Sequence, residues 1–457
     1  MPLTPTAETH RELVDQAWVM LAEQLEQFFP DTQLDEAGGS VTHAGGPHEP
    51  LRRQVTPEPG GGAIRIDWLG RAARLVHREN VSMLASEMRL AEALTSAVDR
   101  RFCVALEPRH GVDDTAAFSL EDDIVAQYLG VVEPARLVDA LATLRAAALS
   151  TYENRQLSTG ALLLGTPGDP ADPGREPDAR MPRYDRRLST IKGFHRLCDG
   201  LHTLFVVDLA GRLLWPADIE RWAHEVQGDR PLPSPCAEPY VAHARATLTG
   251  GHACLVLMPS HEIKIFADGQ FACAFSTARW RILDVPTKAA IWREAVGHDA
   301  LAERLFQAAL DLSEERHGAL FVVLRDPASA DLLLDPADRL EPRDAAPESQ
   351  ARLGALPRQS RRFLHGLVRG QRLLDLDIHV LESLAGIDGA VVVDTEGRLL
   401  SFGAILRVPP GTPRSRGPSE GARTAIAHAV SHHGAALKVS EDGLITLYID
   451  GVKRWEL

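Results

Sequence analysis

The sequence is short of several things, and each shortage narrows what the chain can be. It has five cysteines in 457 residues, Cys103, Cys198, Cys236, Cys254 and Cys273, and no two stand in a C-x-x-C pair. An odd number without such spacing speaks against a disulfide framework and a zinc ribbon. It fits a reducing compartment in which thiols serve as small core residues. No apolar run approaches the length of a membrane span, and the first residues lack the apolar segment of a secretory signal, so the expected location is cytoplasmic. A long basic run is also missing. Lys and Arg number 49 against 63 Asp and Glu, a net charge of −14, so no general affinity for nucleic acid or an anionic membrane is expected. The glycines at 60–62 are not followed by Gly-Lys-Ser/Thr, so they are not a phosphate loop, and no G-x-S-x-G elbow occurs.

What is there is an ordinary soluble composition, 44% apolar and 25% charged, in a chain too long for one core. Residues 1–33 read as an N-terminal helix ended by Pro30. Residues 34–63, rich in Gly and Pro, read as a loose linker. Residues 64–135 read as an α/β region of unknown role: a strand at "AIRIDW", a helix over 78–98 and a strand at "RFCVAL".

From residue 136 the chain repeats itself. The helix "ARLVDALATLRAAALSTYENRQ" leads into the strand "GALLL", and the helix "LAERLFQAALDLSEERH" leads into "GALFVVL". In the second helix Leu301, Leu305, Ala308 and Leu312 fall on one face. Each strand is followed by a polar or Pro-rich insertion, a helix and a V-V-D-x-x-G-R-L-L unit, written "VVDLAGRLL" at 206–214 and "VVDTEGRLL" at 392–400. Apolar residues on both sides of a polar D-x-x-G turn predict a β-hairpin. Further on, 252–269 lies against 434–451 without a gap, each ending in Asp-Gly. Two tandem α/β domains of one plan are therefore expected, 136–285 and 286–457, each a mixed sheet flanked by helices.

The copies differ just before the shared hairpin, where Asp388-Gly389-Ala390 stands opposite His202-Thr203-Leu204. A carboxylate opening a strand, followed by a glycine that admits a ligand to the backbone, suits metal or phosphate chemistry. The same pattern also suits an Asp that caps the preceding helix at a tight turn.

The second copy resembles the diadenylate cyclase (DAC) domain family, which makes cyclic di-AMP from two ATP molecules. The ordered features are the "GAL" strand, Asp388-Gly389-Ala390, Gly403-Ala404-Ile405-Leu406, Gly421-Ala422-Arg423-Thr424-Ala425 and Val439-Ser440-Glu441-Asp442-Gly443. The resemblance implies a catalytic and metal-binding role for Asp388, with Mg2+ or Mn2+ accompanying a bound nucleotide. It implies nucleotide contacts from Gly389, Ala390, Gly403, Leu406, Gly421, Arg423, Thr424, Ser440 and Glu441, with Leu406 against the base. Arg423, in the first turn of a helix, would meet phosphate where free N–H groups and the helix dipole also favour it. DAC-type domains act in face-to-face pairs, which implies a homo-oligomer or pairing of the two copies within the chain.

The departures point the other way for catalysis. Where the family segment has Thr, Arg, His and a second Arg, only Arg423 remains, among Ala422, Thr424 and Ala425. That loss removes charge-assisted bonds expected to strengthen in the transition state. The first copy has Val241 opposite Arg423 and Met258-Pro259-Ser260 opposite Ser440-Glu441-Asp442, and reads as a degenerate domain. The expectation is a signalling or sensor protein whose C-terminal domain binds ATP or a cyclic dinucleotide, with catalysis lost or altered. The alternatives are an active divergent diadenylate cyclase and a structural interaction module without ligand.

Overall fold

Alternation with period two and apolar spacing of period 3.6 set the first layers of the N-terminal region. The computed structural model describes residues 7–36, 53–78, 81–106, 119–165, 180–191, 193–336, 338–340, 366–368, 370–409, 411–412 and 421–457. Over these the chain is a mixed α/β protein with three large sheets flanked by helices, in two compact units. One unit comprises 1–233 and 239–284, the other 234–238 and 285–457. Among the described residues no helix is long and apolar enough to cross a membrane.

The first unit opens with helix α1 (Ala7–Phe28) and strands β1 (Thr32–Glu36), β2 (Gln54–Pro57), β3 (Ala63–Trp68) and β4 (Arg71–His77). They form an antiparallel sheet in the order β1-β4-β3-β2. Of these strands β2 lies inside the 34–63 stretch read as a linker and β1 runs into it, and 37–52 lies outside the described residues. Helix α2 (Ala85–Leu106) corrects the sequence reading twice. It begins after β4, which a Leu69-Gly70 turn joins to β3, both residues having positive φ. It then runs straight through "RFCVAL", because Leu90, Leu94, Ala97, Val98 and Phe102 keep burying one helical face.

The first repeat follows in the same unit: α3 (Leu120–Leu129), α4 (Pro134–Ala148), a small hairpin of β5 (Thr151–Tyr152) and β6 (Arg155–Gln156), then β7 (Thr159–Leu163), β8 (Thr203–Val207), β9 (Leu213–Asp218), α5 (Ile219–Gln227), α6 (Val241–Ala246), β10 (Ala253–Leu257), β11 (Ile263–Ala267), β12 (Gln270–Ser276) and β13 (Arg279–Ile282). Its sheet order is β13-β12-β11-β10-β7-β8-β9. The N-terminal region packs onto this repeat. Phe28, Tyr128 and Ile282 touch both hydrophobic cores. Buried Asp122 accepts hydrogen bonds from Trp280 Nε1 (2.8 Å) and from Arg145.

The second unit contains α7 (Val285–Val296), α8 (Asp299–Glu314), β14 (Ala319–Leu324), α9 (Ala330–Leu333), α10 (Ile378–Ala385), β15 (Ala390–Asp394), β16 (Leu399–Ala404), α11 (Ala422–Val430), β17 (Gly434–Val439), β18 (Ile445–Ile449) and β19 (Val452–Glu456). Leu301, Leu305, Ala308 and Leu312 of α8 are all buried. The sheet order is β16-β15-β14-β17-β18-β19, that of the first repeat without β13.

The repeated sequences fold alike for local reasons. In both D-x-x-G hairpins the Asp carboxylate accepts a turn N–H: Asp208 from Arg212 (2.8 Å), Asp394 from Arg398 (2.8 Å). Gly211 (φ 75°) and Gly397 (φ 77°) supply the left-handed residue that closes the turn. The registers match, Val207 opposite Leu213 and Val393 opposite Leu399. Asp268-Gly269 and Asp450-Gly451 are two-residue hairpin loops with positive φ at both positions, the type I′ turn that suits right-twisted strands.

Candidate nucleotide site at the sheet edge of the second repeat

Strand register decides which candidate residues meet. β14 and β15 run parallel, with Phe321 opposite Val391, so both begin at one edge of the sheet. β16 and β17 run antiparallel to them, with Ala390 opposite Ala404 and Ala319 opposite Val439, so both end there. Asp388, Gly318, Leu406 and Ser440 therefore sit at one edge, on four adjacent strands. With strands about 4.8 Å apart, Asp388 and Ser440 are about 10 Å apart along it. The helix α11 packs over β14 and β17 on the face that carries Leu320, Ala390, Ala404 and Ala436.

Arg423 is the second residue of α11, whose N-cap Gly421 offers no side-chain hydrogen bond to the helix. Its guanidinium lies against the backbone of Gly318, where a Cβ would come within 3.0 Å of Arg423 Cζ and 3.2 Å of Glu441 Cγ. Arg423 Nη1 is 3.8 Å from Glu441 Oε1, a carboxylate whose side chain is 81% exposed. Thr424 accepts a hydrogen bond from Lys438 Nζ at 3.0 Å. The turn carrying Glu441 is held from below: Ser313 Oγ donates to Gly443 O at 2.6 Å, and Arg316 donates to Asp442 O. Burial works against ionisation of Asp442, but hydrogen bonds from Ser440 and from turn amides outweigh it, and the carboxyl sits below its ordinary pKa.

Other candidates have different roles from those expected. Gly389 (φ 122°) does not leave space for a ligand: a Cβ there would lie 2.6 Å from Ala404 O and 2.7 Å from Ala404 N. Close approach of the β16 backbone requires this glycine, and Gly403 (φ 60°) is pressed against Ile387 in the same way. Ala390 is buried beneath them. Leu406 is 6% exposed within the core cluster that includes Leu333 and Leu334, so it is a packing residue and not a surface offered to a base. Ser440 donates its hydroxyl to Asp442 and to Leu444 O (3.2 Å), turning it into its own turn. Gly421 is exposed and sterically unconstrained. Two residues that sequence reasoning did not assign are Gly318, quoted only as the start of a strand, and Lys438.

Asp388 is exposed, and its carboxylate makes no hydrogen bond or ion pair with described residues. Among the described residues no three His, Cys, Asp or Glu side chains gather closely enough to hold a metal ion. Asp388 is thus a single carboxylate, and a magnesium-type ion held by one carboxylate would need its remaining ligands from phosphates and water. A cavity of about 410 Å³ lies close by, lined by Val380, Leu384, Ile387 and Phe402 among others, but neither Asp388 nor Arg423 lines it.

In the first repeat the corresponding space is filled. By the gapless match, Tyr240 stands for Ala422, His243 for Ala425 and Phe266 for Tyr448. These three are buried with ring centres 5.4–5.5 Å apart. His243 bonds Gly200 O at 2.9 Å, and burial pushes its imidazole down to about 4.

No protein-family model and no curated protein matches the chain. Among solved structures it is similar to a hypothetical membrane spanning protein from Bacillus cereus, at 21% identity over 36% of this chain and 69% of that one, with a TM-score of 0.25. It is also similar to a double mutant of DacA from Staphylococcus aureus, at 17% identity over 34% of this chain and 84% of that one, with a TM-score of 0.22.

Proposed function

We propose that the second repeat binds the phosphates of an adenine nucleotide or cyclic dinucleotide, and that the chain is a nucleotide-binding signalling or sensor protein with cyclase chemistry lost or altered. The observation that carries this reading is the sheet edge shared by Asp388, Gly318, Arg423 and the Ser440–Gly443 turn. These residues are distant in sequence, and the fold brings them to one end of the sheet. The N-cap Gly421 offers no side chain to the start of α11, and the helix dipole favours an anion at the same place.

Asp388 supports a second reading, an active divergent diadenylate cyclase. An exposed carboxylate beside the phosphates could hold a metal ion and orient the attacking 3′-hydroxyl of one nucleotide toward the α-phosphate of another. A bound divalent ion would polarise the phosphoryl oxygens. Arg423 would steady the phosphate chain against Glu441. The missing basic residues around Arg423 weigh against charge neutralisation on the departing pyrophosphate.

Titration calorimetry of the full chain with ATP and with cyclic di-AMP, with and without Mg2+ or Mn2+, tests both. Arg423→Ala is expected to weaken binding by about one to two orders of magnitude, the worth of a charge-assisted bond. Absence of any binding by the wild type sinks the nucleotide reading. Cyclic di-AMP formed from ATP and abolished by Asp388→Asn establishes the cyclase instead.

A further inference from the structure

The cavity close to Asp388 has no part in the nucleotide reading, and its walls suit a ligand of a different kind. It holds about 410 Å³ between α10, which contributes Val380 and Leu384, and the chain over 367–377, with Ile387 ahead of β15 and Phe402 on β16. Small-molecule sites typically hold roughly 300–1,000 Å³ and have mostly apolar walls. Seven of the ten described residues that line this one are apolar. Two of the seven are left bare, Leu367 at 74% exposure and Val380 at 43%. Between β7 and β8 the first repeat has two short 3-10 turns, 186–190 and 194–197, where the second has α10, and Phe194 of the second turn stacks on Phe205 of β8 with ring centres 4.6 Å apart. The cleft therefore comes with α10 of the second repeat and is not a by-product of the shared sheet.

The charged groups of the cleft are of one sign. Asp375 and Asp377 line it, and among the described residues no Lys, Arg or His does. The cations nearest in sequence turn elsewhere: Arg372 donates to Glu396 O at 3.1 Å, and His379 bonds Glu382 at 3.1 Å. Asp377 caps α10 by accepting from His379 N at 2.9 Å, so a carboxylate already occupies the helix start where an anion would otherwise be favoured. Asp375 is exposed, and its carboxylate makes no hydrogen bond or ion pair with described residues. Gln371 is half-buried, and its side-chain amide makes none either. An anion here would meet two carboxylates and give up hydration without a counter-charge. An apolar body that ends in an ammonium group meets neither cost. The body covers Leu367 and Val380, the ammonium has Asp375 as its counter-charge, and the Gln371 carbonyl can accept one of its N–H bonds.

We propose that this cleft binds a small amphipathic amine, an apolar body carrying a protonated amino group, at a site separate from Arg423 and its glycine. The proposal does not depend on the nucleotide reading. The two sites are nevertheless neighbours. Ile387 directly precedes Asp388, and Phe402 directly precedes Gly403, where an added Cβ would come within 2.9 Å of Ile387 Cγ2. An occupant of the cleft therefore touches the two segments that meet beside Asp388.

The test uses three probes with one apolar body, phenylpropylamine, phenylpropanol and phenylpropionate, titrated into the full chain at pH 7 and followed by calorimetry and by saturation-transfer NMR on the probe. The amine is expected to bind about two- to fivefold more tightly than the alcohol, the worth of a partly exposed ion pair, and the carboxylate to bind most weakly. Asp375→Asn should bring the amine to the level of the alcohol and leave the alcohol unchanged. Val380→Trp, which fills the cleft from its exposed rim, should abolish binding of all three while the melting temperature stays at the wild-type value. Asp375→Asn alters an exposed side chain without partners among the described residues, so it keeps the proposal testable if Val380→Trp does not fold. Three probes that bind alike, with no effect of Asp375→Asn, would overturn the choice of ligand. Absence of binding to the wild type, or binding that survives in folded Val380→Trp, would overturn the site. Sedimentation of the wild type checks the other occupant: self-association that Val380→Trp removes would mean that a second copy covers the cleft, and the proposal would fall.

Discussion

The same substitution at two glycines of the second repeat should have opposite consequences. At Gly318 an added Cβ meets only flexible side chains, first Arg423 Nη1, then Arg423 Cζ at 3.0 Å and Glu441 Cγ at 3.2 Å, and the backbone there is not left-handed. The guanidinium must move aside by roughly an ångström, which a long side chain does at little cost. Fewer unfolded conformations should offset that, since Gly→Ala at a compatible site stabilises by about 0.4–1 kcal/mol. Gly318→Ala should therefore melt at or slightly above the wild-type temperature while nucleotide affinity falls, because Arg423 is displaced from its seat. At Gly389 the φ of 122° is strained for any side chain, and a Cβ meets Ala404 backbone at 2.6 and 2.7 Å. Backbone strain of about 1–3 kcal/mol and overpacking of similar size add to a loss of roughly 2–5 kcal/mol. With two compact units a single unfolding free energy is not defined for the whole chain. The suitable readout is hydrogen exchange on peptides spanning β15 and β16, alongside melting curves. Gly389→Ala should raise exchange in both strands, and Gly318→Ala should leave them protected. If Gly318→Ala loses as much protection as Gly389→Ala, the placement of Arg423 over Gly318 is wrong.

Two further outcomes follow from charges already described. Glu441→Gln removes the anion that competes with phosphate for Arg423, so ATP should bind a few-fold more tightly at low salt, with the gain vanishing at high salt, as for exposed pairs; weaker binding at low salt would instead make Glu441 a ligand contact. Asp311 on α8 and Glu382 on α10 form a hydrogen-bonded carboxyl pair in which both pKa values are raised by burial; the charge of Asp311 and its bond raise Glu382 further, while Asp311 stays raised despite bonds from Glu238 N (2.7 Å), Gln307 (2.8 Å) and Glu382. A carboxyl with a raised folded pKa favours folding while protonated, and this advantage is lost as pH rises from the ordinary carboxylate range through the folded value. Glu382→Gln should thus melt higher than wild type at pH 7 and equally near pH 4, and a difference independent of pH would remove the argument.

The repeat was legible because its signals are local. Asp at the head of a D-x-x-G turn and Asp-Gly between alternating strands have steric causes that hold wherever they occur, and both copies of each fold as read. The N-terminal strands were harder. A Leu-Gly turn at 69–70 gave no polar signal, so β4 was missed and α2 was placed too early. Asp388 and Arg423 could be named because they stand at element ends. Lys438 and Gly318 could not. One looks like a stray lysine in an apolar strand and the other like the first letter of that strand, and their meaning depends on which residue of α11 lies above them. The glycine of Asp388-Gly389 was read for the wrong cause: its freedom is spent on the neighbouring strand, a fact visible only once β16 is paired.

The filled site of the first repeat constrains what single mutations could do there. Tyr240, His243 and Phe266 contact one another, so shrinking one of them opens a hole bounded by the other two and admits nothing as large as a phosphate. Each large-to-small step would cost about 3–5 kcal/mol, as for other buried rings, before any binding could compensate. Ligand binding there would need several simultaneous changes across a stability deficit comparable to that of a whole domain. On the proposed reading the two repeats therefore differ in reversibility as well as in residues: one substitution at Arg423 would remove the proposed ligand from the second, whereas no single step would open a site for one in the first.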